Sequence, residues 1–252
     1  MPIEKNKIAL LAALLTLSGA AVASEAPGGV IQPAHNDITN TASLQRGARN
    51  FVNYCMGCHS ARYVRYGRLG QDLGLSEQQV IDNLMFTGER IHDTMKISMR
   101  PEDAARWFGV TPPDLSLIAR SRGTDYIYSF LKSFYLDPSR PTGVNNMVMP
   151  RTAMPHVLWE LQGVNEAVYD GEYDAEHSAV HKRFKEFRAV RPGTMTAKEY
   201  DEFVRDTVNF LDYIGEPMQL ERRSIGFRVL AFLLVFFLFA YFLYKEYWKD
   251  VK

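Results

Sequence analysis

Cysteine is scarce in this sequence, with only two in 252 residues, and that scarcity excludes several classes of protein. A small extracellular domain held by a disulfide framework needs more cysteines, and so does a zinc site built from thiolates. The two cysteines, Cys55 and Cys58, lie three positions apart. An exported chain could join them in one disulfide, but their spacing and the residue that follows favour another use.

Charge of one sign is not in excess either, because 29 basic residues balance 29 acidic ones. Without a basic excess, the sequence predicts no nucleic-acid partner. Strand-like alternation of polar and apolar residues is also lacking, and we find no internal repeat. Short helical patterns separated by long loops predict a mainly α fold. Long loops in a helical domain suggest that something besides the chain organises the core.

Two apolar runs, one near each end, predict export and anchoring in a membrane. Residues 1–23 combine basic residues, a short apolar core and a small-x-small cleavage site, which is typical of a secretory signal peptide. Residues 225–244 are long enough to cross a lipid bilayer as a helix, and the stretch from Val229 to Tyr244 has no charge. Export then places residues 24–224 in the periplasm and residues 245–252 in the cytoplasm, on either side of the bacterial inner membrane.

The two cysteines belong to the segment Cys55-Met56-Gly57-Cys58-His59. Cys-x-x-Cys-His is the pattern of c-type haem attachment, in which each thiol adds to a vinyl group and the histidine is the proximal iron ligand. A thioredoxin-type disulfide would need a βαβ context, and zinc would need further ligands. The segment therefore predicts one covalent haem c, with His59 bound to the iron.

The second axial ligand is open on these grounds, with methionine, histidine and no ligand as the options. A ligand for the opposite haem face should come from a loop distant in sequence. Residues 137–155 are rich in proline and are predicted to form a long irregular loop. This loop holds Met147, Met149 and Met154, and His156 follows it. The proline after Met154 disfavours helix there, so position in the loop makes Met154 the first choice.

Capping boxes predict where two helices begin. Ser76 with Gln79 opens one helix, and Thr196 with Glu199 opens a second that runs to Gly215. An apolar pattern at helical spacing leads into the haem motif and places both thiols near the end of one helix: Leu44, Ala48, Phe51, Cys55 and Cys58.

Taken together, these segments resemble the cytochrome c1 family, the haem-bearing subunits of cytochrome bc1 complexes. The resemblance runs from about Ser43 to the C-terminus. It rests on the haem-attachment helix SLQRGARNFVNYCMGCHS, on VTPPDLSLIARSR followed by DYIYSFL, and on NFLDYIGEP followed by basic residues and one apolar helix. This combination is far more specific than the haem motif alone.

The resemblance implies roles for further residues. Met154, in the segment Thr152-Ala-Met-Pro155, falls on the axial methionine. Arg120 falls on an arginine near the haem propionates, where a guanidinium suits a carboxylate, and Pro112 falls on a proline that packs on the haem. The chain departs from some relatives because it has no extra cysteines, so no disulfide can hold a loop in place.

The resemblance also implies a cytochrome c-like haem domain in which the first and last helices cross. Gly47 and Phe51 are then expected to face Phe210 or Tyr213. A glycine lets two helix axes approach closely, while an aromatic ring fills the remaining gap.

The implied function is that of an electron carrier, not of an enzyme on its own. Electrons would arrive from a Rieske iron–sulfur protein and leave to a cytochrome c, with cytochrome b as the partner of the C-terminal helix. The acidic stretch 166–177, predicted to be a loop, either steers a basic cytochrome c or is an ordinary solvated segment. Two alternatives remain, a stand-alone anchored cytochrome and a haem enzyme or gas sensor with an open distal site.

Overall fold

A computed structural model describes residues 31–174 and 179–250, without the side chains of residues 172–174 and 179–183. The predicted signal peptide, residues 1–23, lies outside the described residues.

Helices make up most of the regular structure, which confirms the mainly α prediction. They are α1 Thr41–Asn50, α2 Tyr66–Leu73, α3 Glu77–Asn83, α4 Pro101–Phe108, α5 Ile118–Arg122, α6 Thr124–Lys132, α7 Trp159–Gln162, α8 Ala197–Gly215 and α9 Gln219–Tyr247, with a π-helical turn, Phe51–Cys55, directly after α1. Strands pair antiparallel as β1 Ala61–Arg65 with β2 Thr94–Met95, β3 Phe134–Leu136 with β4 Val144–Asn146, and β5 Gly163–Asp174 with β6 Ala179–Pro192.

Both predicted capping boxes are confirmed. At the start of α3, the Ser76 hydroxyl accepts from the Gln79 N–H at 3.3 Å, and the Gln79 side chain accepts from the Ser76 N–H at 2.8 Å. Thr196 and Glu199 make the same reciprocal pair at the start of α8. Each box satisfies N–H groups that the first turn of a helix leaves without an intrahelical partner.

The core is centred on the crossing of α1 and α8. A Cβ on Gly47 would overlap a backbone carbonyl of α8 and lie 2.6 Å from the Cβ of Phe210, so only glycine fits at this approach. The rings of Phe51 and Phe210 lie 5.5 Å apart at 44°. The predicted contact with Phe210 is confirmed, whereas the Tyr213 hydroxyl donates instead to Asp72 of α2 at 2.7 Å.

The expectation that the chain lacks strands is wrong. The longest hairpin, β5 with β6, covers the predicted acidic loop as far as residue 174, and residues 175–178 lie outside the described part. Its register shifts between Val164 and Asn165 and again between Val168 and Tyr169. Each shift of one residue reverses which face a side chain takes, so no regular alternation is visible in the sequence. The predicted long loop 137–155 also contains a strand, β4.

Helix α9 has the properties of a membrane anchor. It spans 29 residues, about 44 Å at the rise of an α-helix. Within the described residues it is the one helix long and apolar enough to cross a membrane, and none of its residues is buried against the rest of the chain. It begins at Gln219, ahead of the predicted span 225–244, because the same helix continues through the basic residues before that span.

Candidate haem site

The haem motif begins at Cys55, the last residue of the π-helical turn that follows α1. The Cys55 carbonyl accepts hydrogen bonds from the N–H groups of Cys58 at 3.1 Å and His59 at 2.9 Å. This pair of bonds wraps the motif into one compact turn. The prediction that both thiols lie on one helix is confirmed only for Cys55, which is the last helical residue. Cys58 lies in the turn that follows.

Both thiols are half-buried, and no disulfide joins them. Burial, with a smaller contribution from the nearby Cys58, raises the pKa of the Cys55 thiol to about 12. Within this fold, burial therefore favours the neutral thiol of Cys55 over the thiolate.

His59 is oriented by a backbone group that the sequence reasoning missed. Its Nδ1 lies 2.7 Å from the carbonyl oxygen of Pro113. A carbonyl can only accept, so Nδ1 carries the proton and Nε2 keeps a free lone pair, as a metal ligand needs. Burial lowers the pKa of His59 below its ordinary value, although the bond to Pro113 and the charge of Asp114 act in the opposite direction. The neutral, ligating form of the imidazole is therefore favoured.

The segment around Pro113 is fastened to the residues that follow the motif. Three hydrogen bonds do this, from the Leu115 N–H to the Ser60 carbonyl at 2.8 Å, from the Arg62 N–H to the Asp114 carboxylate at 3.0 Å, and from the Tyr63 N–H to the Ser116 hydroxyl at 3.1 Å. Together with the bond from His59, these bonds hold the chain after the motif against residues 112–116, the PPDLS segment. The His59 ring therefore cannot turn without breaking its bond to Pro113.

Pro112 is the first residue of this segment, and Arg120 follows the segment in α5. Pro112 is half-buried next to Pro113. Arg120, in α5, forms an ion pair with Glu216 at the end of α8, and a Cβ on Gly215 would lie 3.1 Å from its side-chain Cγ. Glu216 also pairs with Arg222 of the anchor helix. Arg120 thus connects the PPDLS region to the base of the anchor, and its role beside a propionate stays a prediction.

Met154 lies in the loop after β4, half-buried against the margin of the same core that Cys55 touches. Its backbone N–H donates to the Thr152 hydroxyl at 3.3 Å. The other candidates in the loop are less suitable as ligands. Met149 is 45% exposed, and the Met147 sulfur accepts from the Tyr169 hydroxyl at 3.6 Å.

The ring of His156, the rival ligand, packs against β3, and neither ring nitrogen makes a hydrogen bond within the described residues. Its ring is buried and stacks on Phe134, with centroids 4.9 Å apart and planes 4° from parallel. Burial lowers its pKa to about 4, so it is a neutral ring packed in the protein at physiological pH. The stacking of His156 on Phe134 and the position of Met154 at the margin of the core favour Met154 as the ligand.

The donor set fits a haem better than a bare metal ion. Across the described ranges, no three or more His, Cys, Asp or Glu side chains come together to hold an ion. A haem brings its own equatorial ligands, so one histidine and one further donor are enough. Half-buried apolar side chains at the margin of the core can line an apolar macrocycle, among them Leu115, Ile118, Tyr126, Phe130, Met154 and Val157.

Comparison with known proteins bears on this site. A sequence model of the Cytochrome C1 family matches residues 35–251. The cytochrome c1 of Allochromatium vinosum is 48% identical over 242 residues, which cover 96% of this chain and 98% of the relative. A protein named ammonia monooxygenase gamma subunit, from Nitrosomonas europaea, is 42% identical over 215 residues, 85% of this chain and 86% of the relative. The cytochrome c1 of Rhodospirillum rubrum is 30% identical in an alignment that covers 98% of each chain.

Proposed function

The chain belongs to the cytochrome c1 family, and from that membership we propose that it passes electrons from a Rieske iron–sulfur protein to a cytochrome c. Members of this family are haem-bearing electron-transfer subunits of the cytochrome bc1 complex, and the chain accordingly carries a covalently bound haem c. We assign the attachment to Cys55 and Cys58. The chain acts as an electron carrier within the complex, and it makes and breaks no substrate bond by itself.

The hydrogen bond from His59 to Pro113 is the observation that carries this proposal. It leaves Nε2 free for the iron and holds the ring in one orientation. We propose Met154 as the second ligand, because it is half-buried at the margin of the core, whereas Met149 is exposed and the Met147 sulfur accepts from Tyr169. The bound haem supplies a one-electron ferrous–ferric couple. His59 and Met154 would hold this haem, and the half-buried apolar side chains at the margin of the core would keep its surroundings apolar.

The anchor supports a place beside cytochrome b. Helix α9 exposes its apolar side chains along its whole length, so its partners are lipid and other membrane helices. We propose that residues 24–224 form the periplasmic haem domain, that residues 225–244 span the inner membrane, and that residues 245–252 stay in the cytoplasm. This orientation follows from the predicted signal peptide, residues 1–23.

The acidic stretch gives weak support to steering of a basic cytochrome c. Glu166 pairs with Arg188 across the β5–β6 hairpin, and Asp170 lies 3.5 Å from the Lys185 ammonium. These two pairs cancel the charges of Glu166 and Asp170, which reduces the negative field that a partner would meet. The proposal of a cytochrome c acceptor therefore rests on the family and not on this hairpin.

One relative is named as a subunit of an ammonia monooxygenase, so a second assembly has to be separated from the first. The higher identity to cytochrome c1 of Allochromatium vinosum, over nearly the whole of both chains, favours the bc1 complex. The two assemblies differ in the proteins that accompany the chain, and purification distinguishes them.

The experiment that tests the proposal compares the full chain with a chain that ends at Ser224. The full chain, solubilised in detergent, should purify with cytochrome b and a Rieske protein, and quinol should reduce its haem. The shortened chain should keep its covalent haem but lose cytochrome b, because the haem motif and Met154 precede the anchor. Purification of the full chain alone, or with a monooxygenase, would overturn the proposed assembly. If the shortened chain resists carbonate extraction from membranes, a second anchor exists, most simply an uncleaved signal.

The role proposed for Arg120 is separable from its ion pair with Glu216. If the guanidinium also meets a haem propionate, Arg120→Gln should change the pH dependence of the midpoint potential, since the propionate loses its counter-charge. Glu216→Gln is the matched control because it removes the observed partner and leaves Arg120 in place. Redox titrations at several pH values compare the two variants. If the titration curves of Arg120→Gln match those of the wild type, Arg120 does not act on a propionate and serves only in the ion pair with Glu216.

A further inference from the structure

The loop that carries Met154 starts from a single buried side chain, Asn146. This residue is fully buried at the end of β4. Its side-chain oxygen accepts from the N–H groups of Val148 at 2.9 Å and Met149 at 3.1 Å. One amide oxygen therefore fixes the direction in which the chain leaves the strand.

The same side chain is tied to the body of the domain. Its oxygen also accepts from the Ser133 hydroxyl at 3.1 Å, and its amide nitrogen donates to the Phe130 carbonyl at 2.8 Å. Both partners lie at the C-terminal end of α6 or just after it. Asn146 thus uses acceptor and donor at once and joins the loop to a helix that contributes to the core.

The far end of the loop returns to the same place. Phe134 pairs with Asn146 across β3 and β4, and its ring stacks on His156. The chain between them, residues 147–155, therefore begins and ends against one residue of β3. Asn145 adds a cross-link within the loop, because its side-chain oxygen accepts from the Arg151 N–H at 2.7 Å.

We propose that Asn146 is a positioning residue, which holds the loop so that the Met154 sulfur stays at the iron. The inference rests on the proposed assignment of Met154 as axial ligand. A thioether is a neutral ligand that competes with other donors for ferric iron. Ordering the loop in advance lowers the conformational entropy that the bond to iron would otherwise have to overcome. Removing Asn146 leaves two amide N–H groups without their acceptor, and loop conformations with the sulfur displaced gain population.

The test measures how easily an outside ligand replaces the sulfur. In the full chain, Asn146→Ala should bind imidazole at ferric haem about tenfold more tightly than the wild type, and the far-red band of sulfur-ligated haem should weaken. Asn209→Ala is the matched control. Asn209 is equally buried and donates to the Asp37 carbonyl at 2.7 Å and the Ser43 hydroxyl at 3.0 Å, at the α1–α8 crossing. This control should lower the melting temperature and leave imidazole affinity unchanged.

Each outcome decides a different point. Wild-type imidazole affinity in Asn146→Ala, or an equal rise in Asn209→Ala, would overturn the positioning role. If Met154→Leu keeps the far-red band, the ligand assignment fails instead, and it fails independently of Asn146. Should Asn146→Ala not accumulate, hydrogen exchange on the wild-type holoprotein still decides. The Val148 and Met149 amides should be protected although they lie in a loop, and rapid exchange at both would refute the proposal.

Discussion

Met154→Leu is expected to lower the midpoint potential of the haem by an amount on the order of hundreds of millivolts, because axial ligands and their surroundings move haem potentials over roughly 0.8 V. A thioether is a soft, neutral donor that favours ferrous over ferric iron. Leucine keeps most of the volume and the apolar character, so the half-buried position against the core should still pack. The Met154→Leu variant should therefore lose the sulfur and keep its fold.

Three measurements would detect the loss of the sulfur ligand in this variant. Redox titration should show the lower potential, the far-red band of ferric haem should disappear, and the reduced protein should bind carbon monoxide at the vacated position. Electron transfer from the Rieske protein should stall because the acceptor potential has fallen. A potential within a few tens of millivolts of the wild type would exclude Met154 as the ligand.

Met147→Leu and Met149→Leu are the controls from the same loop. The Met147 sulfur accepts from the Tyr169 hydroxyl, and Met149 is exposed, so neither should alter the haem spectrum. If either control loses the far-red band while Met154→Leu keeps it, the loop is right and the residue is wrong. If none of the three changes the spectrum, the distal site is open or histidine-ligated, and the proposal of a high-potential carrier fails with it.

Features encoded within a few residues were predictable from the sequence. The capping boxes at Ser76 and Thr196 set helix starts through bonds that reach only three residues along the chain. The haem motif is equally local, and the length of the apolar run near the C-terminus is enough to predict a membrane-spanning helix. In each case the physical cause lies inside the segment, so the segment can be recognised without knowledge of the rest.

Features that depend on distant partners were missed. The carbonyl that orients His59 belongs to Pro113, 54 positions away, and a backbone carbonyl has no signature in a sequence. The ion pair between Arg120 and Glu216 joins residues 96 positions apart. The β5–β6 hairpin escaped notice because its bulges shift the alternation that identifies a strand. Asn146 could not be singled out within the predicted loop, because its partners Ser133 and Phe130 are brought to it only by the fold.

The crossing of α1 and α8 should tolerate no side chain at Gly47, and Gly47→Leu is expected to prevent accumulation of the haem protein. A Cβ there meets the Asp206 backbone carbonyl and the Phe210 Cβ. A flexible side chain can rotate away from a new methyl group, but a backbone carbonyl inside a helix cannot. The two helices would have to separate, and this would break the contact between Phe51 and Phe210. Leucine is nearly as good a helix former as alanine, so poor helix propensity would not account for the failure.

Gly47→Ala gives the graded form of this prediction. Helix propensity alone would stabilise the variant by about 1 kcal/mol, whereas overpacking costs up to about 3 kcal/mol. The overlap with a backbone atom favours the upper value, so a net loss of about 2 kcal/mol should lower the melting temperature by about 4–8 °C for a domain of this size. Melting of the detergent-solubilised holoprotein, followed by haem absorption, measures it. Ala42→Leu, on the exposed face of α1, adds a larger group and should leave the melting temperature nearly unchanged. A Gly47→Ala variant that melts higher than the wild type would mean that the two helices do not approach this closely.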